Sequence, residues 1–193
     1  GGGLATGMTL AECAEGIASV APFDGRMQPV TTPDRVTFIR DDFKSTLWTY
    51  EACFDFIKAA RARRKIIIIG EISNVSASKE EAYENTAIRA QEIADLTIFV
   101  GPWASSVLKV RQSGEKNTLR AFGHVRDAAE YINSITREGD LVLLKGSLKK
   151  DHLLRIILAR SENVACWRDD CNRYSFCNEC PDRNKPSGLP VLT

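Results

Sequence analysis

Two groups of residues in this sequence have types and spacings that suit chemistry. The first is Cys166, Cys171, Cys177 and Cys180, set as C-x4-C-x5-C-x2-C within "CWRDDCNRYSFCNEC". Four thiolates in so short a stretch can close a tetrahedron around Zn2+, and the metal then supplies folding energy to a segment too polar to build its own core. An iron–sulfur cluster uses the same ligands and is the alternative. Disulfides fit poorly with a reducing compartment. The second group is charged and lies where apolar runs stop: Asp41, Asp42 and Lys44 after "VTFIR", and Lys145 with Ser147 after "LVLL". A lysine and a hydroxyl at a strand end suit a carboxylate held by a charge and a hydrogen bond. His124 and His152 are far apart in sequence and carry no nucleophile signature, so each reads as a surface or capping histidine.

The elements that must position these groups alternate along the chain. "VTFIRDDF", "KIIIIGEI", "LTIFVG", "LRAFG" and "DLVLLKGS" read as strands. Between and after them, "LWTYEACFDFIKAARARR", "SASKEEAYENTAIRAQEIAD", "ASSVLKVRQSG", "VRDAAEYINSIT" and "KDHLLRIILARS" read as helices, the second with a serine cap and an acidic first turn. Strands apolar on both faces, each followed by a helix, predict a three-layer, Rossmann-like α/β fold with a mostly parallel sheet and helices on both faces. In such sheets ligands bind beyond the carboxyl ends of the strands, where Asp41, Asp42, Gly70, Glu71, Gly101, Lys145, Gly146 and Ser147 all fall. Gly101 is needed only to turn the chain. The sequence has neither GxxxxGK[ST] nor GxGxxG, so it cannot cradle a triphosphate or a dinucleotide by those routes.

Bulk properties narrow the partners. A chain of 193 residues, 44% hydrophobic, suffices for one cored domain with an appendage. Its net charge of +1 gives no reason to expect nucleic acid or an anionic membrane as partner. No apolar run approaches the roughly 20 residues of a membrane span, and "GGGLATGMTL" lacks the regions of a signal peptide, so a cytoplasmic protein is expected. The opening glycines read as a tag or linker.

Taken in order and at their separations, "DGRMQPV", "FIRDDFKST", "IIIIGEI", "LTIFVG" and "LVLLKGSLKKDHL" resemble the C-terminal domain of the Mur ligases, which build the peptide of bacterial peptidoglycan by ATP-dependent amide formation. "GRMQ" with "LLKGS" is most similar to the member that adds D-alanyl-D-alanine. The resemblance implies that Arg26, Asp42 and Lys44 face the nucleotide, and that Lys145 and Ser147 lie near the incoming amino acid or dipeptide. It implies ATP and Mg2+ as cofactors only together with a P-loop central domain, and a UDP-linked muropeptide as the partner substrate. Leu47 and Trp48 stand where the family usually has Asn-Pro, and "EEAYENTAIRA" lacks the family's histidine.

The expected organisation is a linker and hinge over residues 1–30, the ligase-like domain over 31–160, and a cysteine-rich, zinc-binding tail over 161–193. The expected function is the lid of an ATP-dependent ligase, with no turnover by this chain alone. The alternative is a non-catalytic scaffold that presents the zinc knuckle to a protein partner.

Overall fold

The computed structural model describes residues 2–76, 78–111 and 118–186. Its centre is a six-stranded sheet built from β1 (Gln28–Thr31), β2 (Thr37–Asp41), β3 (Arg64–Ile69), β4 (Leu96–Val100), β5 (Leu119–Phe122) and β6 (Asp140–Lys145), in the order β1-β2-β6-β3-β4-β5. β2 to β6 are parallel, and β1 pairs antiparallel with β2 at the edge. The helices are α1 (Gly2–Ala5), α2 (Leu10–Ala18), α3 (Tyr50–Ala59), α4 (Lys79–Gln91), α5 (Val125–Ile135) and α6 (Leu154–Leu158).

The two-residue period of the strands sorts the core into two layers. Ile67 and Ile69 of β3, with Leu141 and Leu143 of β6, pack under α3 and α4. Ile66 and Ile68, with Val142 and Leu144, pack under α5 and α6. All four isoleucines of β3 are fully buried, which at about 1.5–3 kcal/mol each makes this central strand the strongest local source of stability. α4 starts as its sequence specifies: the Glu81 amide donates to Ser78 Oγ at 3.4 Å, and Glu80 and Glu81 occupy the positive first turn.

Three local readings change. β1 joins the sheet although its "QPVT" contains a proline, which an edge strand tolerates because its outward amide has no partner to lose. Residues Ala104–Val110 form a 3-10 helix rather than an α-helix; residues 112–114 of that predicted helix lie outside the described residues. The last predicted helix shrinks to Leu154–Leu158, because Lys149 to Asp151 are spent on a turn and His152 takes a left-handed backbone with φ 49°. No described helix is long and apolar enough to cross a membrane.

The described part of the tail, 161–186, has neither helix nor strand. It shares the core of the sheet instead: Phe176, Val164 and Cys166 are buried, and Phe176 belongs to the layer under α5 and α6. Arg155 of α6 holds it in place. This buried guanidinium donates to the Cys166 carbonyl at 3.1 Å and to the Asp151 carbonyl at 2.9 Å, and it lies 5.7 Å from the Trp167 ring.

Candidate functional site

The strand-end charges picked out in the sequence are drawn inward. Asp41 and Asp42 are neighbours at the end of β2, so the pleat sends their side chains to opposite faces. Asp41 goes to the α3 side, where it meets the Lys145 ammonium and accepts from Cys53 Sγ at 3.1 Å. Lys145 shares a face with Leu141 and Leu143, is wholly buried, donates to the Lys44 carbonyl at 3.4 Å and lies 5.3 Å from the Tyr50 ring. Burial and the adjacent Asp41 push the Cys53 thiol up to about 12, so it stays protonated. Asp42 goes the other way, to Arg40 at 3.2 Å, and burial raises its pKa. Arg40 in turn stacks on Phe176, at 4.7 Å.

The other predicted residues are more accessible. Arg26 is half-buried, with its guanidinium 4.8 Å from the Phe43 ring. Lys44 is exposed, and Ser147 is half-buried. The structure therefore brings Lys145 beside the Lys44 backbone but sets the Lys145 and Asp42 side chains on opposite faces of the sheet.

Asp151, which the sequence reading passed over, ties two strand ends together. Its carboxyl accepts from the Glu71 amide after β3 at 2.7 Å and from the Ser147 amide after β6 at 3.0 Å. The glycines before those amides allow the approach: a Cβ on Gly70 would sit 2.1 Å from an Asp151 oxygen, and one on Gly146 2.6 Å from the other. Burial outweighs the two amide donors and lifts the Asp151 pKa to about 7.

Beyond the carboxyl ends of β3, β4, β5 and β6 lies an open cleft of about 490 Å3, within the range of small-molecule sites. Glu71 and Lys79 line it and pair at 2.8 Å, with Lys79 also 5.6 Å from the Trp103 ring. His124 and Lys150 line it too. Both meet the tail: His124 Nδ1 is 2.7 Å from Asp169, and Lys150 Nζ is 3.2 Å from Asp170. The Asp169 carboxylate raises the His124 pKa, chiefly by hydrogen bonding. The cleft thus carries cations and carboxylates in exposed pairs that a zwitterion could exchange with its own charges. Neither Lys145 nor Ser147 lines it.

The four tail cysteines are free and line one enclosed cavity of about 10 Å3, together with His152, Arg155, Arg173, Ser175 and Arg183. No group of three or more His, Cys, Asp or Glu side chains among the described residues is arranged as it stands to hold a metal ion. The zinc expected from the cysteine spacing is therefore not preformed here.

The family model "Mur ligase, glutamate ligase domain" matches residues 25–148. Among solved structures, UDP-N-acetylmuramoylalanyl-D-glutamyl-2,6-diaminopimelate–D-alanyl-D-alanyl ligase from Acinetobacter baumannii superimposes with a TM-score of 0.65 at 20% identity, over 83% of this chain and 34% of that one. MurF ligase from Thermotoga maritima in complex with ADP gives 0.57 at 16%, over 74% and 30%. At these identities the likeness shows the fold. The chain spans about a third of the length of these enzymes. No curated protein matches it. A match over most of the chain, on a sheet and strand ends of the kind described, places the protein in the Mur ligase family, as a chain carrying that family's C-terminal domain.

Proposed function

We propose that this chain is the second-substrate lid of an ATP-dependent, amide-forming ligase that joins an amino acid or dipeptide to a UDP-linked muropeptide. The observation that supports it most is the cleft beyond the ends of β3 to β6, lined by paired charges of both signs. A free amino acid or dipeptide is a zwitterion. Its carboxylate suits Lys79, Lys150 or His124, and its ammonium suits Glu71, Asp169 or Asp170, each contact replacing an exposed internal ion pair of small worth.

The remaining residues then divide by accessibility. Arg26 and Lys44, whose charged groups are not sealed in the core, are the proposed nucleotide contacts on closure. Asp42 acts behind them, holding Arg40. Lys145 acts through Asp41 and the Lys44 carbonyl and is a positioning residue for the Lys44 turn. Ser147 acts through its backbone amide, which donates to the cleft's Asp151, and is a positioning residue for that carboxyl. ATP needs a phosphate cradle that this sequence lacks, and the acidic pair does not fit Mg2+, because each carboxylate already serves a cation. Those cofactors belong to a central domain supplied alongside this one, which delivers the activated acyl group. This chain's share is to bind the nucleophile and exclude water.

The test is ADP release by the longest form of the protein, given a UDP-linked muropeptide with and without D-alanyl-D-alanine. Dependence on both substrates supports the reading. Lys79→Ala and Lys150→Ala should each raise the KM for the second substrate by about tenfold, the cost of one charge contact of about 1.4 kcal/mol. The internal pairing of Lys145 and Asp42 favours a second reading, a non-catalytic ligase-like scaffold. That reading gains if a form containing a phosphate-binding central domain shows no turnover.

A further inference from the structure

The cysteine tail is the largest feature that the ligase reading does not absorb. Although Cys166, Cys171, Cys177 and Cys180 span fifteen residues of irregular chain, the backbone gathers them. The amides of Ala165 and Cys166 both donate to the Arg183 carbonyl, at 3.1 and 2.9 Å, which closes the tail into a loop. Inside it, Cys177 to Cys180 forms a tight turn in which the Cys180 amide donates to the Cys177 carbonyl at 3.3 Å. The enclosed space that all four cysteines line, about 10 Å3, is close to that of a single water-sized sphere.

Two features of the surroundings point to a cation bound by thiolates. Three guanidiniums, from Arg155, Arg173 and Arg183, line the cavity; Arg173 also pairs with Asp182 and Arg183 with Glu162, whereas the buried Arg155 donates to backbone carbonyls. A zinc ion with four thiolates carries a net charge of −2, which the Arg155 guanidinium would partly offset. His152 is buried and lines the same cavity, with Nδ1 3.5 Å from Cys177 Sγ and Nε2 lacking a hydrogen-bond partner among the described residues. Its Nδ1 is placed to donate a hydrogen bond to the Cys177 sulfur once that sulfur is a metal-bound thiolate, the kind of neighbour that orients a ligand from outside the ligand set.

We infer that Cys166, Cys171, Cys177 and Cys180 bind one structural zinc ion, with His152 set against Cys177 as its neighbour outside the ligand set. Binding releases the thiol protons and draws the four sulfurs into one coordination sphere. This inference is independent of the ligase reading, since it requires neither nucleotide nor substrate.

The test is elemental analysis of the full chain purified without chelator, followed by replacement of the metal with Co2+. One zinc per chain is expected, with the sulfur-to-cobalt charge-transfer absorption of a four-thiolate site. Cys171→Ser and Cys180→Ser should each lose stoichiometric zinc. Cys13→Ser, outside the loop, should retain it, and so should His152→Gln. As a check that does not depend on the variants folding, thiol titration of the native chain should find four slow cysteines that become fast on adding a chelator. A chain with no metal and four freely reactive thiols overturns the inference. So does iron with inorganic sulfide, or zinc that is lost from His152→Gln yet kept by Cys166→Ser.

Discussion

Asp151 offers the sharpest quantitative test, because one buried carboxyl ties the ends of β3 and β6 together and titrates far from its usual range. Its pKa rises from 3.8 to about 7 on folding, so the native state holds a proton that the unfolded chain has released. The contribution is therefore fully present below about pH 4 and is lost as pH rises through about 7. Roughly three pH units at about 1.4 kcal/mol each set a ceiling near 4 kcal/mol for the loss. Asp151→Asn keeps an acceptor for the Glu71 and Ser147 amides and mimics the protonated acid, so it removes the titration while preserving the tie. Urea unfolding of both proteins at pH 4, 5, 6, 7 and 8 should show the variant gaining on the wild type by up to that amount as pH rises, since other titrating groups cancel in the difference. Asp151→Ala, which leaves two amides without their acceptor, should cost about 2–4 kcal/mol at pH 5. Parallel pH profiles for wild type and Asp151→Asn would refute the reasoning.

Other perturbations test other parts of the structure. Lys145→Met leaves Asp41 buried without its cation and should cost about 3–5 kcal/mol in urea unfolding; unchanged stability would mean that the lysine faces outward. Asp169→Asn should lower the His124 pKa towards 6.5, read from its imidazole proton shifts, and an unmoved titration would break the proposed link between tail and cleft. Gly70→Ala forces Asp151 off the Glu71 amide, and the variant should lose the protection of that amide against hydrogen exchange. Arg155→Ala should free the tail from α6, giving rapid proteolysis between residues 161 and 186 while the sheet survives; a tail as resistant as in the wild type would remove Arg155 from that role.

The layered sheet was legible because period and length carried it: four consecutive isoleucines, or "LTIFV" ending in glycine, admit few other readings. β1 was not legible, because "QPVT" is short, contains proline and gains its identity only from the partner β2. Lys145 was correctly placed at a strand end but read as facing a ligand. Counting by twos from Leu141 and Leu143 would have sent it under α3. Apart from Glu71 and Gly101, already legible at strand ends, the cleft residues escape the sequence because they come from four separate loops and the tail, and only the fold brings them together. A usable signal existed in the position of His124 and Lys150, each a few residues past the end of a strand, and of Lys79 at the start of the helix that follows β3. For the tail, the cysteine spacing announced a cluster, whereas its docking depended on Phe176 and Arg155, two side chains in the middle of otherwise unremarkable sequence.

Asp169 and Asp170 stand in the cleft wall although they belong to no strand or helix and are carried there by a loop that closes at Arg183. Both carboxylates are exposed, while the loop that carries them is anchored in the core layer under α5 and α6 through Phe176. A replacement at either aspartate alters the charge a ligand meets while every β-ladder and both core layers stay untouched. On the proposed reading, what the domain selects can therefore change at two exposed positions, which spares the buried strand ends the compromise of serving stability and recognition together.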